Sequence, residues 1–215
     1  MEHRKESLIM KKTGFTLAEV LITIAIVGVV SALTIPTFTT KMQTAKIGPK
    51  LAKAVAGFEQ ASKTVLSDNN VDRLTMLYAS GNNFNTADFL RDMENHFKGD
   101  LDALNNDEIY HAKDGVDYKL PRLCEVNPAV ALPHRRMVCQ EVVIDINGIE
   151  AGPNRDARDQ FYFQMMDDGS LRPWGGSWEV PANRWQTTCR PNATPANAYY
   201  CAGHVMENGL KAEYK

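Results

Sequence analysis

The sequence lacks the short motifs that mark several classes of enzyme. It contains no glycine-rich phosphate loop, no His-Glu-x-x-His zinc motif and no Gly-x-Ser-x-Gly nucleophile motif. His96 and His111 stand alone, without partners at metal-ligand spacing, so we interpret them as surface or hydrogen-bonded side chains. We therefore expect that the chain is not an enzyme and needs no cofactor.

An excess of charge of one sign is also missing. The formal net charge is −2 and the pI is about 6.2, so the chain has no global basic surface for nucleic acid. The Arg135-Arg136 pair is too short to form such a surface by itself.

Cysteine is scarce and confined to the C-terminal half of the chain. The four residues are Cys124, Cys139, Cys189 and Cys201. They include no Cys-x-x-Cys pair, and their gaps do not fit a zinc ribbon, so no metal site is expected from them.

The N-terminal region contains what the rest of the chain lacks, a long apolar run. After the basic stretch Met10-Lys11-Lys12-Thr13, residues Phe15–Ile35 are almost entirely apolar or small. As a helix, these 21 residues would reach about 31 Å, enough to cross a bilayer core. The run is interrupted by one carboxylate, Glu19. Because a charge in hydrocarbon costs about 2.5–3.5 kcal/mol on insertion scales, we expect Glu19 to be functional.

The start of this run is Gly14-Phe15-Thr16-Leu17-Ala18-Glu19-Val20. With its leader, it resembles the processing site of class III signal peptides in type IV pilins and type II secretion pseudopilins. The resemblance covers about Lys11 to Pro36. It implies that a prepilin peptidase cuts after Gly14 and methylates the new N-terminal Phe15. It also implies that Glu19 pairs with the Phe15 amine of a neighbouring subunit. Pro36, at mature position 22, is expected to loosen the helix.

Two other interpretations of the N-terminal run remain open. An ordinary secretory signal would be cut after Ala32, at the end of the small-residue site Val30-Ser31-Ala32. A plain membrane anchor would not be cut at all. Translation could begin at Met1 or at Met10.

The pattern divides the chain into four segments. Residues 1–14 are the leader, 15–36 the transmembrane and assembly helix, 37–67 an amphipathic spine helix, and 68–215 a globular head. In the spine, apolar residues recur at spacings of three, four and seven, as in Leu51, Val55, Phe58 and Val65. Gly48-Pro49 is the one place where a kink or break is expected.

The head combines helical and strand patterns, which predicts an α+β fold with a small antiparallel sheet packed on the spine. Short helices are expected over 72–79 and from Thr86 to a stop at Gly99. Strands are expected over 116–120, 137–146 and 161–165, and at Leu171-Arg172 after an Asp168-Gly169 turn.

One loop of the head is rich in oxygen ligands, from Asp145 through Asn147-Gly148 and Gly152-Pro153-Asn154 to Asp159. It is not an EF-hand, because the glycine comes early and no glutamate closes the loop. We interpret it as a turn in which side chains satisfy backbone groups, with calcium binding as the alternative.

An even number of cysteines downstream of an export signal indicates two disulfides in an oxidising compartment. Of three connectivities, Cys124–Cys139 with Cys189–Cys201 closes the smallest loops and is the one we expect; free buried thiols are the alternative. The Cys189–Cys201 segment resembles the C-terminal loop of many pilins, and 201–214 resembles their final strand. The aromatic residues of the last stretch are expected to cover a small tail, with stacking on sugars or nucleic-acid bases as the alternative. They are Trp174, Trp178, Trp185, Tyr199 and Tyr200.

Taken together, these features predict a pilin or pseudopilin, a structural subunit that is anchored in the bacterial inner membrane with its head in the periplasm and then enters a filament. The implied partners are the prepilin peptidase, other pilin subunits and the inner-membrane assembly machinery. The type of filament, and whether the subunit is major or minor, are left open. The alternative is an anchored adhesin-like or DNA-binding module that never polymerises.

Overall fold

A computed structural model describes residues 14–80, 83–97, 99–102, 109–120, 137–176, 182–189 and 198–212. The side chains of residues 36–43, 80, 83, 99–102 and 137–140 are outside that description. The chain divides into two compact units, residues 1–42 and 43–215, which are described separately below.

Helix α1 (Leu17–Asp68) runs through both units and contains 52 residues. Its backbone stays helical at positions 36 and 49, so the break considered at Gly48-Pro49 does not occur. A proline inside a helix removes one backbone hydrogen bond and costs about 3 kcal/mol. From Leu51 onward, one stripe of α1 is buried in the head core, and this packing offsets the cost.

In the first unit, α1 presents an apolar surface that no described residue of the chain covers. The segment Leu17–Ile35 has a mean hydropathy of 2.3 and is long enough to cross a membrane. None of this segment is buried within the chain.

The second unit is built on an antiparallel sheet. Its six strands lie in chain order: β3 (Gly99–Asp102), β4 (Ile109–Ala112), β5 (Asp117–Lys119), β6 (Met137–Asp145), β7 (Gln160–Met166) and β8 (Leu171–Pro173). A separate two-stranded hairpin is formed by β1 (Ala79–Ser80) and β2 (Asn83–Phe84). The last four strands of the large sheet were predicted from the sequence, and the structure confirms them. It also confirms the predicted α+β fold.

The sheet packs its inner face on α1. Alternate residues of the strands point inward, so that Tyr118, Ile144 and Phe163 are at most 2% exposed. The rings of Phe58 on α1 and Tyr118 on β5 lie 5.5 Å apart, and the Tyr118 hydroxyl donates a hydrogen bond to the Ala54 carbonyl at 3.0 Å. These contacts register the sheet on the helix.

Two short helices lie beside α1. Helix α2 (Thr75–Tyr78) is shorter than the predicted 72–79. Helix α3 (Thr86–Glu94) begins as predicted, with the side chain of Asn85 accepting a hydrogen bond from the Asp88 amide. Gly99 was expected to stop α3 but is instead the first residue of β3.

The C-terminal segment contains α4 (Trp185–Thr188) and α5 (Cys201–Glu207). The prediction of a final strand from residue 201 is therefore wrong. Ala202 and Val205 are buried one helical turn apart, at 1% and 0% exposure, a spacing that suits a helix and not a strand. Gly203 lies so close to the backbone of Gly175 and Gly176 that a Cβ there would be 2.6 Å away, and this contact fixes α5 against the turn after β8.

Candidate processing and assembly site

The peptide bond proposed for cleavage lies at an open end of α1. Gly14 and Phe15 precede the helix, and Phe15 is 89% exposed. A Cβ built on Gly14 would meet no atom within 4 Å. Within the described residues, nothing shields this bond from a protease.

Glu19 closes a hydrogen-bonded box with Thr16 at the first turn of α1. One carboxylate oxygen, Oε2, accepts from the Thr16 backbone N–H at 2.8 Å and from its hydroxyl at 2.7 Å. The Thr16 hydroxyl in turn accepts from the Glu19 backbone N–H at 3.3 Å. This is a capping box, which satisfies backbone donors that the first turn would otherwise leave free.

Thr16 was missed as a site residue in the sequence, although Thr-x-x-Glu before an apolar run is the signature of a capping box. The box leaves half of the carboxylate available: Oε1 of Glu19 accepts no hydrogen bond from the described part of the chain. Glu19 can therefore be held by its own helix and still meet a cation from outside.

The surface around Glu19 is apolar over five turns. Leu17, Ile24 and Leu33 are 79%, 64% and 73% exposed. Glu19 is the only ionisable residue between Leu17 and Ile35. Because a surface this large and apolar is not stable in water, it needs a bilayer or other helices around it. Pro36 lies beyond this surface in the helical backbone, and its side chain is outside the described residues.

The predicted disulfides have different outcomes. Cys189 and Cys201 form a disulfide with Cα atoms 4.8 Å apart, which confirms that pair. It joins the end of α4 to the start of α5 and packs with Ala157 and Ala198. Cys124 and the Cys139 side chain lie outside the described residues, so their pairing stays a prediction.

The oxygen-rich loop is held by its own side chains. The Asp145 carboxylate accepts a hydrogen bond from the backbone N–H of Asn147 at 3.2 Å. The Asp159 carboxylate accepts one from the backbone N–H of Asn154 at 3.0 Å. Asp117, from β5, accepts from the Ile149 amide at 2.8 Å. The described residues contain no group of three or more His, Cys, Asp or Glu arranged to hold a metal. The carboxylates thus satisfy backbone donors, as a turn requires.

Burial changes the acidity of one carboxyl in this loop. Asp145 is 2% exposed, and burial raises the pKa of its carboxyl above the ordinary value of 3.8. Hydrogen bonds from the Gln160 side chain and from the Asn147 backbone N–H lower this pKa and so oppose the effect of burial. The nearby charges of Asp159 and Asp117 raise the pKa further.

Both isolated histidines lie against carboxylates. His111 Nδ1 is 2.9 Å from Asp117, and His96 Nε2 is 3.3 Å from Asp68. This agrees with the interpretation of the two residues as hydrogen-bonded side chains.

The aromatic residues of the C-terminal segment pack on one another. The Tyr199 ring lies 4.4 Å from that of Tyr162 and 5.2 Å from that of Trp174, measured between centroids. The Arg184 guanidinium lies over the Tyr200 ring at 4.4 Å. Trp174, Tyr199 and Tyr200 are half-buried, which fits the predicted role of these aromatic residues in covering the tail of the head. Trp178 lies outside the described residues.

These features fit a membrane-anchored protein with one N-terminal span and a disulfide-containing α+β head. Residues 9–35 match the family model of the prokaryotic N-terminal methylation motif, the signature of type IV pilins and pseudopilins. The match confirms the resemblance seen in the sequence and covers the leader and the span, not the head. A search of curated proteins and a search of solved structures found no match.

Proposed function

We propose that the chain is a structural subunit of a type IV pilus-like or type II secretion filament. The proposal rests on one observation: the N-terminal methylation motif lies on an apolar helix that the described part of the chain leaves uncovered. A motif of this kind indicates a protein that is processed at its N-terminus and packed with others through its first helix. A catalytic role has no support from the motif.

Processing prepares the helix for assembly. A prepilin peptidase cuts between Gly14 and Phe15 and methylates the new N-terminus. The new amine then lies about one helical turn from Glu19. In a low-dielectric environment, a carboxylate and an amine attract each other far more strongly than at a wet surface. The free Oε1 of Glu19 receives the Phe15 amine of a neighbouring subunit and sets its register.

The location follows from the same segment. Before assembly, the helix from Phe15 to Ile35 holds the subunit in the inner membrane, and the head lies in the periplasm, where the Cys189–Cys201 disulfide forms. After assembly, the helices cover one another in the filament core. The assembly machinery of the inner membrane and other pilin subunits are the partners of this step.

Replacement of Glu19 by Ala tests the proposal. We expect filament incorporation of Glu19→Ala to fall at least about tenfold, since the Phe15 amine then enters the core unpaired. Incorporation is measured as the fraction of the chain in sheared or pelleted filaments, relative to the membrane fraction.

Thr16→Ala is the matched control, because it removes the hydroxyl from the capping box and keeps the carboxylate, while the backbone N–H of residue 16 still donates to Oε2. If Glu19 acts mainly as a cap, Thr16→Ala loses part of the incorporation; if Glu19 pairs with a neighbour, incorporation of Thr16→Ala stays close to that of the wild type. Normal incorporation of Glu19→Ala would favour the alternative, an anchored binding module that does not polymerise.

A further inference from the structure

Five exposed lysines and five exposed carboxylates of the head lie toward opposite ends of its part of α1. The basal lysine set lies where α1 enters the head and consists of Lys46, Lys50, Lys53, Lys113 and Lys211. The distal carboxylate set lies toward the other end of α1 and consists of Asp68, Asp72, Asp88, Asp92 and Glu94. All ten residues are exposed.

Two contacts bring the basal lysine set together from distant parts of the chain. Lys53 Nζ lies 3.0 Å from the Asp114 carboxylate, which places the turn containing Lys113 beside α1. The backbone of Leu210 lies against Gly48, which places Lys211 near the helix turns of Lys46 and Lys50.

The distal carboxylate set is placed by α1 and α3. Asp68 is the last residue of α1, and Asp72 follows it. Helix α3 contacts α1 through the Ser62 hydroxyl, which donates to Met93 Sδ at 3.3 Å. At 1.5 Å per residue, Ser62 and Asp68 lie about 24 and 33 Å beyond Lys46 along the helix.

Local pairing leaves charge at both ends. Lys46, Lys50, Lys113 and Lys211 have no carboxylate within 4 Å among the described residues. At the distal end, Asp72 lies against Arg73, Asp88 against Arg91, and Asp68 against His96, whose Nε2 is 3.3 Å away. Glu94 has no such cation in the described chain, and Asp92 accepts only the Tyr78 hydroxyl, at 2.6 Å.

We propose that the two sets bind each other between copies of this chain that are staggered along the α1 axis. The inference rests on the proposed function and assigns a contact surface to the head. Copies that lie side by side without a stagger bring like charges level with each other. Along α1, Lys46 then stays about 24–33 Å from the levels of Ser62 and Asp68, and Lys53 about 14–23 Å, in both cases beyond the Debye length of about 8 Å. A stagger of that size brings the lysines of one copy to the carboxylates of the next.

Such a contact joins two different surfaces of the same chain. It is therefore heterologous, and when its rotation does not close a ring it continues into an open filament. The charge pattern opposes clustering of heads in the membrane and favours their axial stacking once subunits leave it. Complementary charge of this kind mainly sets register and partner choice.

Zero-length crosslinking of the full chain in its assembled form tests this contact directly. A water-soluble carbodiimide joins only amines and carboxylates that touch. Within one chain, Lys46 and Asp68 are too far apart to react, so a crosslink between the two sets must join two copies. The Lys53–Asp114 pair, at 3.0 Å, is an internal positive control. We expect crosslinked peptides that join Lys46 or Lys50 to Asp68, Asp72 or Glu94.

Charge reversal provides the sharper arm. Lys46→Glu/Lys50→Glu reverses two of the five charges of the basal lysine set, and Asp72→Lys/Glu94→Lys reverses two of the five charges of the distal carboxylate set. The readout is the crosslinks between groups that both variants keep, from Lys211 of the basal lysine set to Asp68 or Asp92 of the distal carboxylate set. Alone, each variant is expected to lose about fivefold or more of these crosslinks, because like charges then face each other at the substituted positions. Co-expressed, the two variants present opposite charges at every contact, so assembly and the crosslinks between their marked peptides should return.

Lys63→Glu/Arg172→Glu is the matched control, because it changes the net charge as Lys46→Glu/Lys50→Glu does but lies outside the basal lysine set. It should crosslink normally. Normal crosslinking by both reversed variants, or no recovery on co-expression, would overturn the inference. So would a result in which Lys46→Glu/Lys50→Glu loses only its binding to anionic phospholipid vesicles.

The two proposals fail in distinguishable ways. If assemblies with a methylated Phe15 form but no crosslink joins the basal lysine set to the distal carboxylate set, the staggered contact is refuted. The proposed function is then left intact. A wild-type chain that stays uncut and forms no assemblies refutes the proposed function, and the staggered contact with it.

Discussion

At the scale of single residues, Asp145 shows how the fold changes the chemistry of a side chain. Its sequence context, Asp-x-Asn-Gly, indicates a turn and is shared with many calcium loops. The structure adds that the carboxyl is 2% exposed and accepts hydrogen bonds from Asn147 and Gln160. Sequence cannot provide that burial, because it depends on strands that pair across the sheet.

Asp145→Asn is expected to change how head stability depends on pH. Because the folded pKa of Asp145 is raised, the native state holds more protons than the unfolded state as the pH rises from about 4 through the raised pKa. Wild-type stability from this group is therefore fully present below that window and is lost as the pH rises through it. The substituted asparagine side chain keeps an oxygen that can accept the hydrogen bond from the Asn147 backbone N–H, and this side chain does not titrate. The free energy of unfolding of the variant, relative to wild type, should increase with pH.

The measurement is urea unfolding of the full chain in detergent micelles, followed by tryptophan fluorescence between about pH 4 and 7. A difference between the two proteins that stays constant with pH would contradict the account, and so would one that decreases.

At the scale of elements, α1 illustrates both the reach and the limit of sequence patterns. The apolar segment, the start of α3 and four strands follow from local periodicity and were predicted. Gly48-Pro49 was considered as a break because both residues weaken helices. The structure gives Gly48 another reason to be glycine, the approach of Leu210 from 162 residues away. The same kind of long-range contact makes α5 a helix where a strand was expected.

Gly48→Ala is expected to destabilise the head. A Cβ at this position would lie 1.8 Å from the Leu210 carbonyl oxygen and 2.6 Å from its carbonyl carbon. Both are backbone atoms, so the C-terminal turn must move. We expect the free energy of unfolding to fall by about 1–3 kcal/mol, more than the roughly 1 kcal/mol that Ala gains over Gly in a helix.

Gly57→Ala is the control for Gly48→Ala, as both lie in α1. Its Cβ would meet only the edge of the Phe97 ring, at 3.3 Å, and a side chain can adjust. Urea unfolding should show a change of no more than about 1 kcal/mol for this variant. Equal effects of the two substitutions would mean that the contact with Leu210 does not hold the C-terminal turn on α1.

At the scale of the whole molecule, the two units differ in how much their sequences reveal. The N-terminal unit is specified by consecutive residues, so its motif and its apolar helix can be read directly, and both are confirmed. The head depends on contacts between distant segments. Strands β3 and β4 were not predicted, because strands of four residues carry little periodicity. The charge separation along the head appears only when Lys113 and Lys211 are brought to α1.

The central claim is that this chain is processed as a pilin before it acts. The most direct test is mass spectrometry of the mature N-terminus of the full chain, produced with and without a prepilin peptidase. We expect a peptide that begins at N-methylated Phe15 and appears only when the peptidase is present. An N-terminus that stays uncut in the presence of the peptidase, or one that begins at Leu33, would contradict the claim and identify the apolar run as an anchor or an ordinary secretory signal.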